Sequence, residues 1–131
     1  MELMYPFTIS ATLFAVLIYM WMGFKVGQAR GAYNVDAPST DGPPEFRRAY
    51  RAHINTLEGM ASFLPGLWIF AFLVSDMWAA AVGLVWCVGR LVYAIGYHRD
   101  AEKRFPGLGV SFIATLTLIL GSVVAVVWPH I

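Results

Sequence analysis

The sequence predicts an all-α integral membrane protein built as a bundle of four transmembrane helices. Hydrophobic residues make up 59% of the 131 residues, and charged residues make up only 13%. That charged share is about half of the roughly 25% expected of a soluble globular domain. A soluble chain of this length would bury about two thirds of its surface and would need more polar residues to cover the rest. Lipid is therefore the expected environment of most of the chain.

Each of four apolar segments is long enough for a membrane-spanning helix, which needs about 20 mostly apolar residues. The first runs from Phe7 to Phe24 without a charge, and we expect it to be a retained membrane helix, not a signal peptide. The fourth, Leu108 to Trp128, has no charge either. We predict one domain with helices over residues 6–29, 44–74, 77–104 and 108–129.

The second helix is predicted to begin before its apolar run at residues 59–74. Pro43-Pro44 followed by Glu45 is typical of a helix N-terminus. Pro65 falls inside the apolar run, where neighbouring helices can satisfy the freed carbonyl. Only Ser75-Asp76 separates this segment from the next, so the two helices are expected to form a tight hairpin.

The third apolar segment, residues 77–97, contains one charged residue, Arg90. No Gly or Pro occurs between Gly96 and Pro106. We therefore expect this helix to continue past the membrane to Arg104.

The basic residues predict the orientation of the bundle. Apart from Arg90, every Lys and Arg lies within residues 25–51 or 99–104, in or beside the first and third connections. The positive-inside rule then puts these connections in the cytoplasm and both termini on the opposite side. We expect the membrane to be the bacterial inner membrane or the endoplasmic reticulum.

Composition also excludes some functions. A net charge of +1 argues against a nucleic-acid-binding protein. The single cysteine, Cys87, cannot form a disulfide within the chain and is expected to be a small buried apolar residue. We predict no metal site.

Polar residues recur at helical spacing near the cytoplasmic ends of the second and third helices. Residues at i, i+4 and i+7 share one face of a helix. Three such residues of the second helix are Arg51, Asn55 and Glu58. Four of the third, at i, i+3, i+7 and i+14, are Arg90, Tyr93, Tyr97 and Arg104.

These two stripes have a functional and a structural interpretation. Ionisable groups at membrane depth are costly and commonly mark function, and such a pocket suits a small flexible ligand with carboxylates, amides and an amine. Arginines can bind its carboxylates and Glu58 its amine, while a lateral opening would admit an apolar partner from the bilayer. Alternatively, Arg51 and Arg104 anchor the helices at lipid head groups, and Glu58 and Arg90 form a structural ion pair. That alternative does not require Asn55 or the two tyrosines.

Two sequence blocks carry a family resemblance. They are GPPEFRRAYRAHINTLE at residues 42–58 and GRLVYAIGYHRDAEKRFPG at residues 89–107, accompanied by ARGAYNV at residues 29–35. This pattern resembles the MAPEG family, the membrane-associated proteins in eicosanoid and glutathione metabolism. The most similar branch contains leukotriene C synthase and the microsomal glutathione transferases.

The resemblance implies a homotrimer with three glutathione sites at the subunit interfaces. Seven residues match glutathione-binding positions: Arg30, Arg51, His53, Asn55, Glu58, Tyr93 and Tyr97. Arg104 matches the arginine that stabilises the glutathione thiolate. An ordinary thiol has a pKa of about 8.5, and an adjacent guanidinium lowers that pKa. Two positions depart from the leukotriene-forming enzyme: Gly31 stands where it has a second arginine, and Gly59 where it has an aromatic residue.

The expected function is that of a membrane glutathione transferase that conjugates glutathione to hydrophobic electrophiles, with reduction of lipid hydroperoxides as a further activity. One alternative is a non-catalytic lipid-presenting protein resembling five-lipoxygenase-activating protein, which would not need Arg104 and the full glutathione set. Another is a multidrug transporter, which needs an acidic residue deep in a helix. No acid occurs between Met4 and Gly27, and Glu58 lies near the interface, which disfavours a transporter.

Overall fold

A computed structural model describes residues 2–130 and contains four long helices. They are α1 Pro6–Tyr33, α2 Pro44–Leu73, α3 Asp76–Arg99 and α4 Phe105–Val127, with short 3-10 helices at Ala101–Arg104 and Trp128–His130. Four helical segments, the last including the flanking 3-10 turns, are long and apolar enough to cross a membrane. The predicted all-α, four-helix membrane architecture is confirmed.

The connections between α1, α2 and α3 follow from local sequence. α1 continues to Tyr33, beyond the predicted end at residue 29, and is capped by Asn34 in the left-handed region at φ 54°; Asn tolerates that conformation better than most residues. α2 begins at Pro44 as predicted, and Pro65 lies inside it. Ser75 caps α3 by accepting the N–H of Trp78 at 3.2 Å.

The predicted extension of the third helix to residue 104 is wrong. α3 ends at Arg99, because Asp100 is extended at φ −159° and ψ 133°. The Asp100 carboxylate accepts the N–H of Glu102 at 3.0 Å and so begins a separate 3-10 turn. Asp side chains bond nearby backbone and therefore favour caps over helix interiors. The lack of Gly and Pro between residues 96 and 106 was therefore not enough for the helix to continue past Asp100.

α4 consequently begins at Phe105, three residues before the predicted start at residue 108. Pro106 lies in its first turn, where proline is tolerated. Two glycines allow the chain to fold back closely at this end. A Cβ on Gly96 would collide with the Lys103 carbonyl oxygen, and one on Gly107 would collide with the Tyr93 backbone nitrogen.

The core lies between all four helices. Phe63 of α2 and Trp86 of α3 stack with ring centroids 4.0 Å apart and planes 4° apart. Met22 of α1 and Leu118 of α4 are fully buried against this core. The opposite, outward faces carry large exposed apolar side chains on every helix, as expected for a surface in contact with lipid.

Asp76 joins the start of α3 to the start of α1. Its carboxylate accepts the backbone N–H groups of Thr8 at 2.8 Å and Phe7 at 3.2 Å. These are first-turn N–H groups that no carbonyl within α1 can satisfy. This contact fixes one end of the bundle, and the polar stripes of α2 and α3 lie toward the other.

Candidate functional site

Arg90 connects the polar stripes of α2 and α3. Its Nη1 donates a hydrogen bond of 2.8 Å to Asn55 Oδ1 and approaches Thr56 Oγ1 at 3.5 Å. The guanidinium lies 5.0 Å from the centroid of the Tyr93 ring and 5.5 Å from that of Trp86. Arg90 is only 5% exposed, so its charge is held by an amide, a hydroxyl and two aromatic faces.

The structure does not contain the ion pair between Glu58 and Arg90 that the structural alternative would require. Within residues 2–130, the one salt bridge joins Arg47 Nε to Asp41 Oδ1 at 3.8 Å. Glu58 is exposed at the surface of α2. Its carboxylate is therefore free to meet a ligand or a neighbouring subunit.

Gly59 provides the space that Arg90 occupies. A Cβ at this position would lie 2.7 Å from Arg90 Nη2, which is shorter than the contacts that Cβ atoms make in real proteins. A larger side chain would force the guanidinium elsewhere. The departure at Gly59 therefore has a structural reason, whereas a Cβ on Gly31 would meet nothing within 4 Å, and nothing in the structure explains that departure.

Tyr97 and Arg104 meet despite the break in the helix at Asp100. The Arg104 guanidinium lies 5.3 Å from the centroid of the Tyr97 ring and 4.3 Å from that of Phe105. Its Nη1 donates to the Ala101 carbonyl at 2.6 Å. The 3-10 turn thus returns Arg104 toward α3, so the predicted neighbourhood of Tyr97 and Arg104 arises without a continuous helix.

Tyr93 is the most buried of the predicted site residues. Tyr93 is 2% exposed, and its ring centroid lies 5.6 Å from that of Tyr97 in an edge-to-face arrangement. Arg51 and Arg104 lie close enough to act electrostatically on Tyr93. Asn55 reaches the same place through its hydrogen bond to Arg90. One end of the α2–α3 pair therefore combines positive charges with hydroxyl and amide groups.

Arg30 and His53 are not part of this arrangement within one chain. Arg30 Nη1 donates to the Ser39 carbonyl at 2.8 Å, which ties it to the connection between α1 and α2. His53 stacks on Tyr19 of α1 with ring centroids 4.4 Å apart. Helical geometry explains the position of His53, because a residue two positions after Arg51 is turned by about 200° around the helix.

A cavity of about 470 Å³ opens beside Arg90. Ser62 and Arg90 contribute polar groups, Gly59 forms part of the α2 wall, and residues of α4 such as Leu108 and Phe112 form the other walls. It opens at the outer surface of the bundle, beside exposed apolar side chains of α4.

Comparison with known proteins agrees with the architecture and the motifs. The model of the MAPEG family matches residues 8–124. The chain belongs to the MAPEG family. It is similar to bovine leukotriene C4 synthase, with 40% identity over 84% of this chain and 73% of the relative. It is likewise similar to human microsomal glutathione S-transferase 2, with 37% identity over 76% of this chain and 69% of the relative.

A bacterial relative covers more of the chain. An uncharacterized protein of Synechocystis sp. is 40% identical over 97% of this MAPEG chain and 91% of the relative. Family membership and the four apolar helices together establish an integral multi-pass membrane protein.

Ser62 and Gly59 line the cavity beside Arg90 in this MAPEG protein, but neither was predicted as a site residue. Ser62 follows Glu58 by four residues and so continues the polar face of α2. That spacing is the signal that could have identified it. The position of Arg90 beside Gly59 is a contact between two helices, which no pattern within either helix reveals.

Proposed function

We propose that this MAPEG protein is a membrane-bound glutathione transferase that conjugates glutathione to hydrophobic electrophiles. The observation that carries the proposal is the meeting of two groups of residues at one end of the bundle. The polar groups near Tyr97 and Arg104 lie at the end of α3, and the cavity beside Arg90 opens at the outer surface of the bundle, through which the electrophile is proposed to enter. The named activities of leukotriene C4 synthase and microsomal glutathione S-transferase 2 support the same chemistry.

The charges of the site complement those of glutathione, which has two carboxylates, an amine, two amides and a thiol. Arg51 binds a carboxylate through paired N–H donors. Glu58 binds the amine, and Asn55, Tyr93 and Tyr97 exchange hydrogen bonds with the peptide and carboxylate groups.

Arg104 is proposed to hold the thiol as a thiolate. A cation beside a thiol favours its charged form and lowers its pKa by about 1–3 units. The sulfur then attacks the electrophilic carbon of the acceptor, forming a C–S bond while the leaving group departs with its electron pair. The thiol proton is released to water when the thiolate forms.

The same thiolate can reduce a lipid hydroperoxide. Attack on the peroxide bond gives the lipid alcohol and a glutathione sulfenic acid. A second glutathione then converts the sulfenic acid to glutathione disulfide and water. Two molecules of glutathione are oxidised for each hydroperoxide reduced.

A homotrimer is proposed to complete the site. Arg30 and His53 lie off the exposed α2 face in their own chain, so a neighbouring subunit has to supply them. Exposed Arg51 and Glu58 would then face that neighbour across a glutathione molecule. The concentration of basic residues in the first and third connections supports a site that opens to the cytoplasm.

The test is transfer of glutathione to a generic aryl halide by the purified protein in detergent. We expect turnover in the wild type, loss of at least about tenfold in Arg104→Ala, and wild-type turnover in Lys103→Ala, whose side chain is exposed. Glutathione binding is measured in parallel by calorimetry. A wild type that neither binds glutathione nor transfers it would contradict the proposal and would favour a lipid-presenting role.

A further inference from the structure

Three basic side chains from three helices meet near the polar end of the bundle. They are Lys25 of α1, Arg48 of α2 and His98 of α3, and we call them the basic cluster. Lys25 Nζ lies 5.8 Å from the centroid of the Trp21 ring, and the His98 ring centroid lies 5.9 Å from that of the same indole. Lys25 and Arg48 both lie near enough to His98 for their charges to be felt at its ring. Each of the three side chains is half-buried.

The basic cluster has donors and positive charge but no acid to balance them. Arg48 Nε and His98 Nε2 are buried without a hydrogen-bond partner among residues 2–130. The one salt bridge in this range joins Arg47 to Asp41 and involves no member of the cluster. A buried polar atom without a partner is unfavourable, because it has lost its hydrogen bonds to water. The chemistry that would relieve this cost is an anion with several acceptor oxygens.

The position of the basic cluster indicates which anion is available. Lys25 directly follows the uncharged segment Phe7–Phe24, so it lies where the apolar part of α1 ends. Trp and basic residues are typical of the head-group level, and basic pockets between transmembrane helices bind anionic head groups.

We propose that the basic cluster binds a phosphate group, for which a phospholipid at the membrane surface is the source that this depth favours. Phosphate oxygens form charge-assisted hydrogen bonds with guanidinium and ammonium groups. One phosphate between α1, α2 and α3 would accept hydrogen bonds from Lys25, Arg48 and His98 and would bridge the three helices. No member of the basic cluster is among the residues proposed to bind glutathione, but Arg48 lies three residues before Arg51 and therefore near the same face of α2, so the test below is made without glutathione.

The test is thermal unfolding of delipidated protein in phosphate-free detergent solution without glutathione. Phosphatidylglycerol, diacylglycerol and inorganic phosphate are added separately. A ligand that binds only the folded state raises Tm with its concentration, so phosphatidylglycerol is expected to raise the wild-type Tm and diacylglycerol is not. Lys25→Gln and Arg48→Gln are expected to weaken the apparent affinity by about tenfold. Arg47→Gln is the matched control, because it removes an exposed neighbouring arginine.

Each outcome decides the proposal. Stabilisation by phosphatidylglycerol that is lost in Lys25→Gln and kept in Arg47→Gln supports it. Equal stabilisation by inorganic phosphate, with the same pattern among variants, supports the site with a soluble anion as its source. An equal response to diacylglycerol, or equal losses in Arg47→Gln and Arg48→Gln, overturns it. If Arg48→Gln does not fold, Lys25→Gln carries the test, since Lys25 is half-buried at the end of the apolar segment.

Discussion

Arg90 of α3 donates a hydrogen bond of 2.8 Å to Asn55 of α2, and this contact links the two helices that form the proposed glutathione site. Asn55 is a neutral amide, so this contact does not balance the charge of Arg90 as a carboxylate would. A buried, uncancelled guanidinium at this place attracts anions. The contact between Arg90 and Asn55 therefore joins α2 to α3 and also leaves a positive charge at the site.

Asn55→Ala is expected to lower the stability of the protein by about 1–3 kcal/mol, because it leaves a buried charged donor without its acceptor. Asn55→Asp keeps an acceptor oxygen and should retain most of the stability. Thermal unfolding in detergent measures both. An unchanged Tm in Asn55→Ala would mean that the contact with Asn55 contributes little.

Gly59→Ala is expected to displace the Arg90 guanidinium, since the new Cβ would lie 2.7 Å from Nη2. This displacement breaks the hydrogen bond from Arg90 to Asn55, which is proposed to bind glutathione, so the KM for glutathione should rise about threefold to tenfold. Gly109→Ala is the matched control, because Gly109 also lines the cavity but its Cβ would meet nothing within 4 Å. Equal effects in the two variants would show that cavity volume matters and the position of Arg90 does not.

Gly107→Ala is expected to prevent normal packing of α4 on α3. Its Cβ would collide with backbone atoms of Tyr93 and Gly89, which cannot move as a side chain can. We expect destabilisation of more than about 3 kcal/mol, measured as loss of folded protein after detergent extraction. Gly27→Ala, at an open position, should be recovered at the wild-type level, and recovery of both variants would contradict the close α3–α4 contact.

The ring of Tyr97 is expected to position Arg104 through the contact at 5.3 Å. Tyr97→Leu removes the aromatic face, and the lost cation–π interaction is worth about 0.5–2 kcal/mol. Turnover should fall severalfold. Tyr97→Phe keeps the ring and tests the hydroxyl separately; if both variants lose turnover equally, the hydroxyl and not the ring is responsible.

The sequence predicted much of the fold because membrane helices follow from local composition. The start of α2 at Pro44 and the hairpin at Ser75-Asp76 agree with the structure. The predicted end of α3 does not agree with the structure. The Asp100 side chain accepts a backbone N–H and so begins a new turn where the helix was expected to continue. Hydropathy and the absence of breakers do not measure that competition.

The site could be predicted only as far as helical spacing and family resemblance allow. Spacing brought Arg51, Asn55 and Glu58 to one face. It did not predict the hydrogen bond between Arg90 and Asn55, because that contact depends on the space left by Gly59 on the neighbouring helix. The roles of all eight predicted site residues stay predictions, and those of Arg30 and His53 also require a second subunit.

The central claim is that Arg104 stabilises the glutathione thiolate, and ultraviolet difference absorbance of bound glutathione across a pH titration tests it most directly. An ordinary thiol is only a few per cent ionised at pH 7. A guanidinium beside the sulfur lowers the thiol pKa, so the thiolate forms at lower pH than in free glutathione. We expect the wild type to show a strong thiolate signal at pH 7 and Arg104→Ala to show it only about 1–3 pH units higher. Equal titration curves for wild type and Arg104→Ala, both saturated with glutathione, would contradict the account.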